Sequence, residues 1–104
     1  MGKKEAINIA EKYVQKVKGQ FIVRDAMLFG SCVKGTNNDE SDIDIALIFD
    51  ELSDVIDTQI ELMKMRRDID LRIEPHPFRV VDFNIDDPIV SEIINSGVKI
   101  ITLL

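Results

Sequence analysis

Apolar residues Ala6, Ile9, Ala10, Tyr13, Val14 and Val17 recur at three- and four-residue intervals, with Lys12, Gln15 and Lys16 between them. That spacing predicts an amphipathic helix stopped by Gly19. From Phe21 to Phe29 the chain is rich in β-formers and closes on Gly30-Ser31, a strand running into a tight turn. The polar stretch from Thr36 to Ser41 separates that turn from Asp42 to Phe49, which begins by alternating and ends wholly apolar, as a largely buried strand does. Ser53 is placed to cap a helix that carries Val55, Ile56, Ile60 and Met63 inward and ends near Met65. Strict alternation from Asp68 to Ile73 predicts a strand with Ile69, Leu71 and Ile73 on the core face and Asp68, Asp70 and Arg72 on the other; Pro75 and Pro77 are read as its end. Asp87 as N-cap and Pro88 at the first position open a helix that stops at Gly97, and Val98 to Leu103 reads as a last strand. The order of elements gives an α/β or α+β chain: one domain over residues 1–104, with a small mixed sheet of about four strands and flanking helices.

Composition narrows the function classes. The apolar share of 45% and charged share of 31% are those of a soluble folded domain, and neither a bilayer-spanning run nor a secretory leader is visible, so the expected location is cytoplasmic. One Cys and one His, Cys32 and His76, leave no ligand set for a zinc cluster and no disulfide within the chain. The net charge of −6 is concentrated: no Lys or Arg lies between Lys34 and Lys64, a stretch with nine acids. Such a surface repels nucleic acid, and a polyphosphate approaches it only with metal neutralising the charge.

Asp42 and Asp44 stand two apart at the start of a strand and project their carboxylates to one side. Two anions so placed suit Mg²⁺, which takes one or two carboxylates together with phosphate oxygens and water. If the Asp68 to Ile73 strand lies alongside, Asp70 completes a trio of acids suited to two metal ions clamping a phosphoryl displacement. Gly30 lets the backbone approach a phosphate, Ser31 offers a hydroxyl at a short helical turn, and Lys34, one turn on, adds positive charge. A calcium loop is rejected, because Ala46 and Leu47 occupy positions that need an oxygen ligand and a glycine. His76, between two prolines, is read as a loop residue, and Cys32 as a small buried filler.

Gly30-Ser31, ten residues, Asp42-Ile43-Asp44 and a later strand acid together resemble the nucleotidyltransferase superfamily that includes DNA polymerase β and the kanamycin nucleotidyltransferases. The short length resembles its minimal branch. The resemblance implies that Gly30 and Ser31 contact the triphosphate of ATP, that Asp42 and Asp44 bind Mg²⁺, and that Asp70 is the third carboxylate, assisting deprotonation of an acceptor hydroxyl. Many members carry Arg where this chain has Lys34, which keeps the charge and loses the bidentate fork. The resemblance also implies a partner, since minimal members are often paired with a small helical protein of the HEPN type in toxin and antitoxin modules. The expected activity is transfer of AMP to a hydroxyl of such a partner. Beside it stand an inhibitory binding module with weak catalysis and an antibiotic-modifying transferase, the latter disfavoured by the lack of a second domain. Acceptor and oligomeric state are not legible.

Overall fold

The computed structural model describes residues 1–101. In chain order the elements are α1 (Lys3–Lys18), β1 (Asp25–Phe29), α2 (Ser31–Lys34), β2 (Ile43–Phe49), α3 (Val55–Met65), β3 (Ile73–Arg79), a single 3₁₀ turn (Val80–Asp82), α4 (Pro88–Ser96) and β4 (Val98–Lys99). The four strands form one mixed sheet in the order β3-β2-β1-β4, with β1 antiparallel to β2 and β4, and β2 parallel to β3. Parallel pairing needs a crossover, and α3 supplies it.

Alternation sorts β2 between two layers. Ile43, Ile45, Leu47 and Phe49 join Tyr13, Val14 and Val17 of α1 and Leu62 and Met65 of α3 in the main core. Each fully buried aliphatic side chain there contributes about 1.5–3 kcal/mol. The Tyr13 hydroxyl donates to the Leu62 carbonyl at 2.7 Å, tying α1 to α3, and burial pushes its pKa up. On the opposite face Ala46 packs with Phe29 and with Ile93 of α4, flanked by Met27, Phe78 and Phe83. This second, smaller cluster leaves the start of β2 partly open to solvent.

Helix α1, the Asp87 cap and Pro88 follow the sequence pattern. Five readings change. The first strand is shorter than the Phe21 to Phe29 stretch, and α3 is capped by Asp54, whose side chain accepts the Asp57 N–H, rather than by Ser53. Helix α3 also turns the other way: it buries Thr58, Leu62 and Met65, while Ile56 is 74% and Ile60 48% exposed. It carries apolar residues on two faces, and tertiary packing selects only one. For the last strand, β4 is Val98–Lys99, and the part of the expected strand beyond residue 101 lies outside the described residues.

The largest change concerns β3. Asp68 to Arg72 is not a strand but a turn, in which the Arg72 N–H and guanidinium bond back to the Asp70 carboxylate at 2.7–3.0 Å, and Leu71 is two-thirds exposed. The strand starts at Ile73 and runs through both prolines. Register explains their tolerance. The Ile43 N–H donates to the Arg72 carbonyl at 2.8 Å, so even-numbered residues of β3 turn their backbone polar groups toward β2 and odd-numbered ones turn outward. Pro75 and Pro77 fall on outward positions of an edge strand, where no ladder hydrogen bond is lost. The outward Pro75 carbonyl accepts from Gln59 Nε2 at 3.0 Å.

Candidate active site

Strand β1 ends at Gly30, which caps the single turn of α2 with φ 82° and ψ −153°, a conformation closed to residues with a Cβ. A Cβ built there would stand 2.5 Å from Asp44 Oδ2. The bare face of Gly30 is therefore the seat of the Asp44 carboxylate, a closer reason for glycine than the phosphate approach expected from sequence. Ser31 opens α2, where the first N–H groups of a helical turn have no intrahelical acceptor. Cys32 is buried and its thiol donates to the Asp42 carbonyl at 3.3 Å, clamping α2 to the start of β2. Burial, with Asp44 adding to it, pushes the Cys32 pKa up, so the residue serves as packing rather than as a thiolate.

Asp44 is flanked in register by Phe29 on β1 and Glu74 on β3. Its Oδ1 lies 3.0 Å from His76 Nε2, and the His76 ring meets Phe29 edge-on at 5.0 Å. Asp42 precedes β2 and is exposed. The structure thus brings Gly30, Ser31, Asp42 and Asp44 to one end of the central strands β1 and β2, as their spacing suggests. Asp70 lies in the turn before β3, outside the strand, and its carboxylate is already engaged. Arg72 grips that carboxylate with two side-chain hydrogen bonds, which hold its pKa below the ordinary range. The acid abreast of Asp44 is Glu74. Lys34 is engaged as well, at 2.5 Å from Glu92 of α4.

Sequence reasoning passed over Glu74 and read His76 as a loop residue because the flanking prolines read as a strand end. Continuing the alternation from Arg72 through Glu74 and His76, with prolines on the outward edge, would have found both.

No metal-ligating trio of His, Cys, Asp or Glu is preassembled among the described residues. The donor set still fits Mg²⁺: hard carboxylate oxygens on adjacent strands, partly open to solvent, suit an ion that keeps water and takes the rest of its ligands from phosphate. Among the described residues no helix is long and apolar enough to cross a membrane.

Comparison with known proteins bears on the fold and the family. No curated protein sequence matches the chain. Among solved structures, a Sulfolobus solfataricus protein assigned as a nucleotidyltransferase superposes with a TM-score of 0.66 at 19% identity, covering 93% of this chain and 80% of its own. A toxin-antitoxin structure with AMP-PNP gives 0.66 at 21% identity, covering 89% and 73%. The toxin-antitoxin MntA-HpeT, in a mutant form, gives 0.57 at 18%, covering 99% and 75%. At these identities the likeness is one of fold. Residues 11–103 match the family described as Polymerase beta, Nucleotidyltransferase, and the chain belongs to that family.

Proposed function

We propose that this domain transfers a nucleoside monophosphate, AMP from ATP, to a hydroxyl of a partner protein, with Mg²⁺ held by Asp42 and Asp44. The observation that carries the reading is the seat of Asp44: a carboxylate fitted against the bare Cα of Gly30, beside the open turn of Ser31 and abreast of Glu74. A sheet end that sets an acid against a helical turn brings anion-binding N–H groups and cation-binding oxygens together, as a metal-bound triphosphate requires.

Each residue has a distinct task. Ser31 and the first N–H groups of α2 hold phosphate oxygens, and Asp42 and Asp44 hold Mg²⁺, which supplies charge neutralisation at the phosphates. Glu74 takes the position expected of Asp70 and accepts the proton of the acceptor hydroxyl. The acceptor oxygen then bonds to the α-phosphorus, the bond to the β-phosphate bridging oxygen breaks, and pyrophosphate leaves. His76 keeps the Asp44 carboxylate oriented through Nε2. Lys34 adds charge near the phosphates only where its Glu92 bridge opens. The toxin-antitoxin neighbours support a protein as acceptor, and a helical partner of the HEPN type fits that setting.

The test is to incubate the domain with Mg²⁺, ATP labelled at the α-phosphate and an extract of its native host. Label should pass to a protein, and Asp42→Asn with Asp44→Asn should abolish the transfer. Label remaining in ATP, or transfer equal in the double variant, would overturn the reading. Tight partner binding without transfer would leave an inhibitory module instead.

A further inference from the structure

The outward face of α3 that packing leaves unused forms one wall of a groove of about 510 Å³. Val55, Ile56 and Ile60 line it on that side, Pro77 and Phe78 of the β3 edge form the floor, and Ile89 at the start of α4 closes it. The main core is complete without these residues, yet Ile56, Ile60 and Ile89 are each about half exposed or more. The flanking charge is acidic. Asp54 and Asp57 bracket Val55 and Ile56 along the chain, Asp86 and Asp87 precede Ile89, and all four are exposed. The nearby cations are offset: Arg79 is bound to Asp82 at 2.7 Å, and Lys64, a turn beyond Ile60, lies 3.5 Å from Glu61. Arg66 and Arg67, past the end of α3, line an adjoining pocket that shares Gln59 and Ile60 with the groove, and Arg66 donates to the Ile73 carbonyl at 2.8 Å.

We infer that this groove docks an amphipathic helix of a partner protein, one with an apolar stripe bordered by Lys or Arg. The inference rests on the partner-directed reading above and gives it a surface. Three features select the occupant. A β-strand is a poor fit, because Pro75 and Pro77 remove two outward N–H groups of the edge and Gln59 already occupies the Pro75 carbonyl. A second copy is a poor fit, because a symmetric contact sets the same four aspartates against each other in a chain of net charge −6. An apolar helix with basic borders meets both the lining and the flanking charge. The position also has a functional sense: His76 lines the groove, and its Nε2 bonds Asp44, so a helix seated there lies against the wall of the carboxylate site.

The test uses a fluorescent synthetic helical peptide with a leucine stripe bordered by lysines, and its counterpart bordered by glutamates, with binding read by anisotropy. The lysine peptide should bind the wild-type chain, and the glutamate peptide should not. Ile56→Ser with Ile60→Ser alters no charge and touches exposed positions. It should weaken binding on the order of tenfold or more while the melting temperature holds. A second variant, Asp57→Asn with Asp86→Asn, should weaken binding and flatten its salt dependence. The inference is overturned if the lysine peptide fails to bind, if the serine variant binds it equally well, if both peptides bind alike, or if sedimentation shows a dimer that the serine variant dissolves. The serine variant should keep its melting response to Mg²⁺ with ATP. Loss of that response in the wild-type chain would count against the proposed transfer and leave the groove standing.

Discussion

The tripeptide Asp-Ile-Asp occurs twice, at Asp42–Asp44 and at Asp68–Asp70, and the two copies have opposite fates. In both, the central isoleucine packs inward, Ile43 fully and Ile69 partly. In the second copy every carboxylate has a cation: Asp68 pairs with Lys16 and Asp70 with Arg72. Those hydrogen bonds hold both pKa values down and consume the acceptor capacity that a metal would need. In the first copy, among the described residues, no Lys or Arg side chain bonds either acid; Asp44 meets His76 and the bare Cα of Gly30, and Glu74 stands beside it. The same three residues thus make a structural turn in one place and a candidate cation site in the other. Neighbouring elements, rather than the motif, decide which.

The contrast breaks most completely at Gly30. Gly30→Ala places a Cβ in a glycine-only backbone region and against Asp44 Oδ2, and should cost about 3 kcal/mol or more in a denaturant titration. A cost below about 1 kcal/mol would show that the seat is loose. The equivalent glycine does not exist at the second copy.

It is sharpened next by exchanging the candidates for the third acid. Glu74→Gln should lower label transfer about a hundredfold or more while leaving stability nearly unchanged. Asp70→Asn should do the reverse, leaving transfer intact. Loss of transfer in Asp70→Asn alone would restore Asp70 to the role expected from sequence.

The smallest effect is on acid stability. Asp70 has its folded pKa lowered chiefly by the Arg72 hydrogen bonds, so its contribution is present above the unfolded carboxylate value of about 3.9 and is lost as pH falls through the lower folded value. The pair is only partly buried and so partly screened, which holds the contribution to about 1 kcal/mol. Denaturation of the wild-type chain and of Asp70→Asn at neutral pH and near pH 2 should show the gap between them closing on acidification. A gap that widens would contradict the ion pair.

Much of the fold was legible because its signals are local. The 3.6-residue period of α1, the Asp87-Pro88 start of α4 and the polar-to-apolar gradient of β2 each lie within one element. The closeness of Gly30, Ser31, Asp42 and Asp44 follows from the end of one strand and the start of its antiparallel neighbour lying side by side. What escaped depended on how the chain folds back on itself, nearby or far along it. Asp70 looks free until Arg72 folds back on it, and Lys34 looks available until α4 brings Glu92 to it. Pro75 and Pro77 read as terminators until the sheet order puts β3 at an edge. Helix α3 carries two apolar faces, and sequence periodicity does not say which one meets the core.

The most direct test pairs the two copies. Asp42→Asn with Asp44→Asn, and Asp68→Asn with Asp70→Asn, would be compared by the rise in melting temperature when Mg²⁺ and ATP are added together, against either alone. The account predicts a joint rise in the wild-type chain and in the Asp68, Asp70 pair, and none in the Asp42, Asp44 pair, which should stay folded. A joint rise that survives in the Asp42, Asp44 pair, or that disappears only in the Asp68, Asp70 pair, would contradict it.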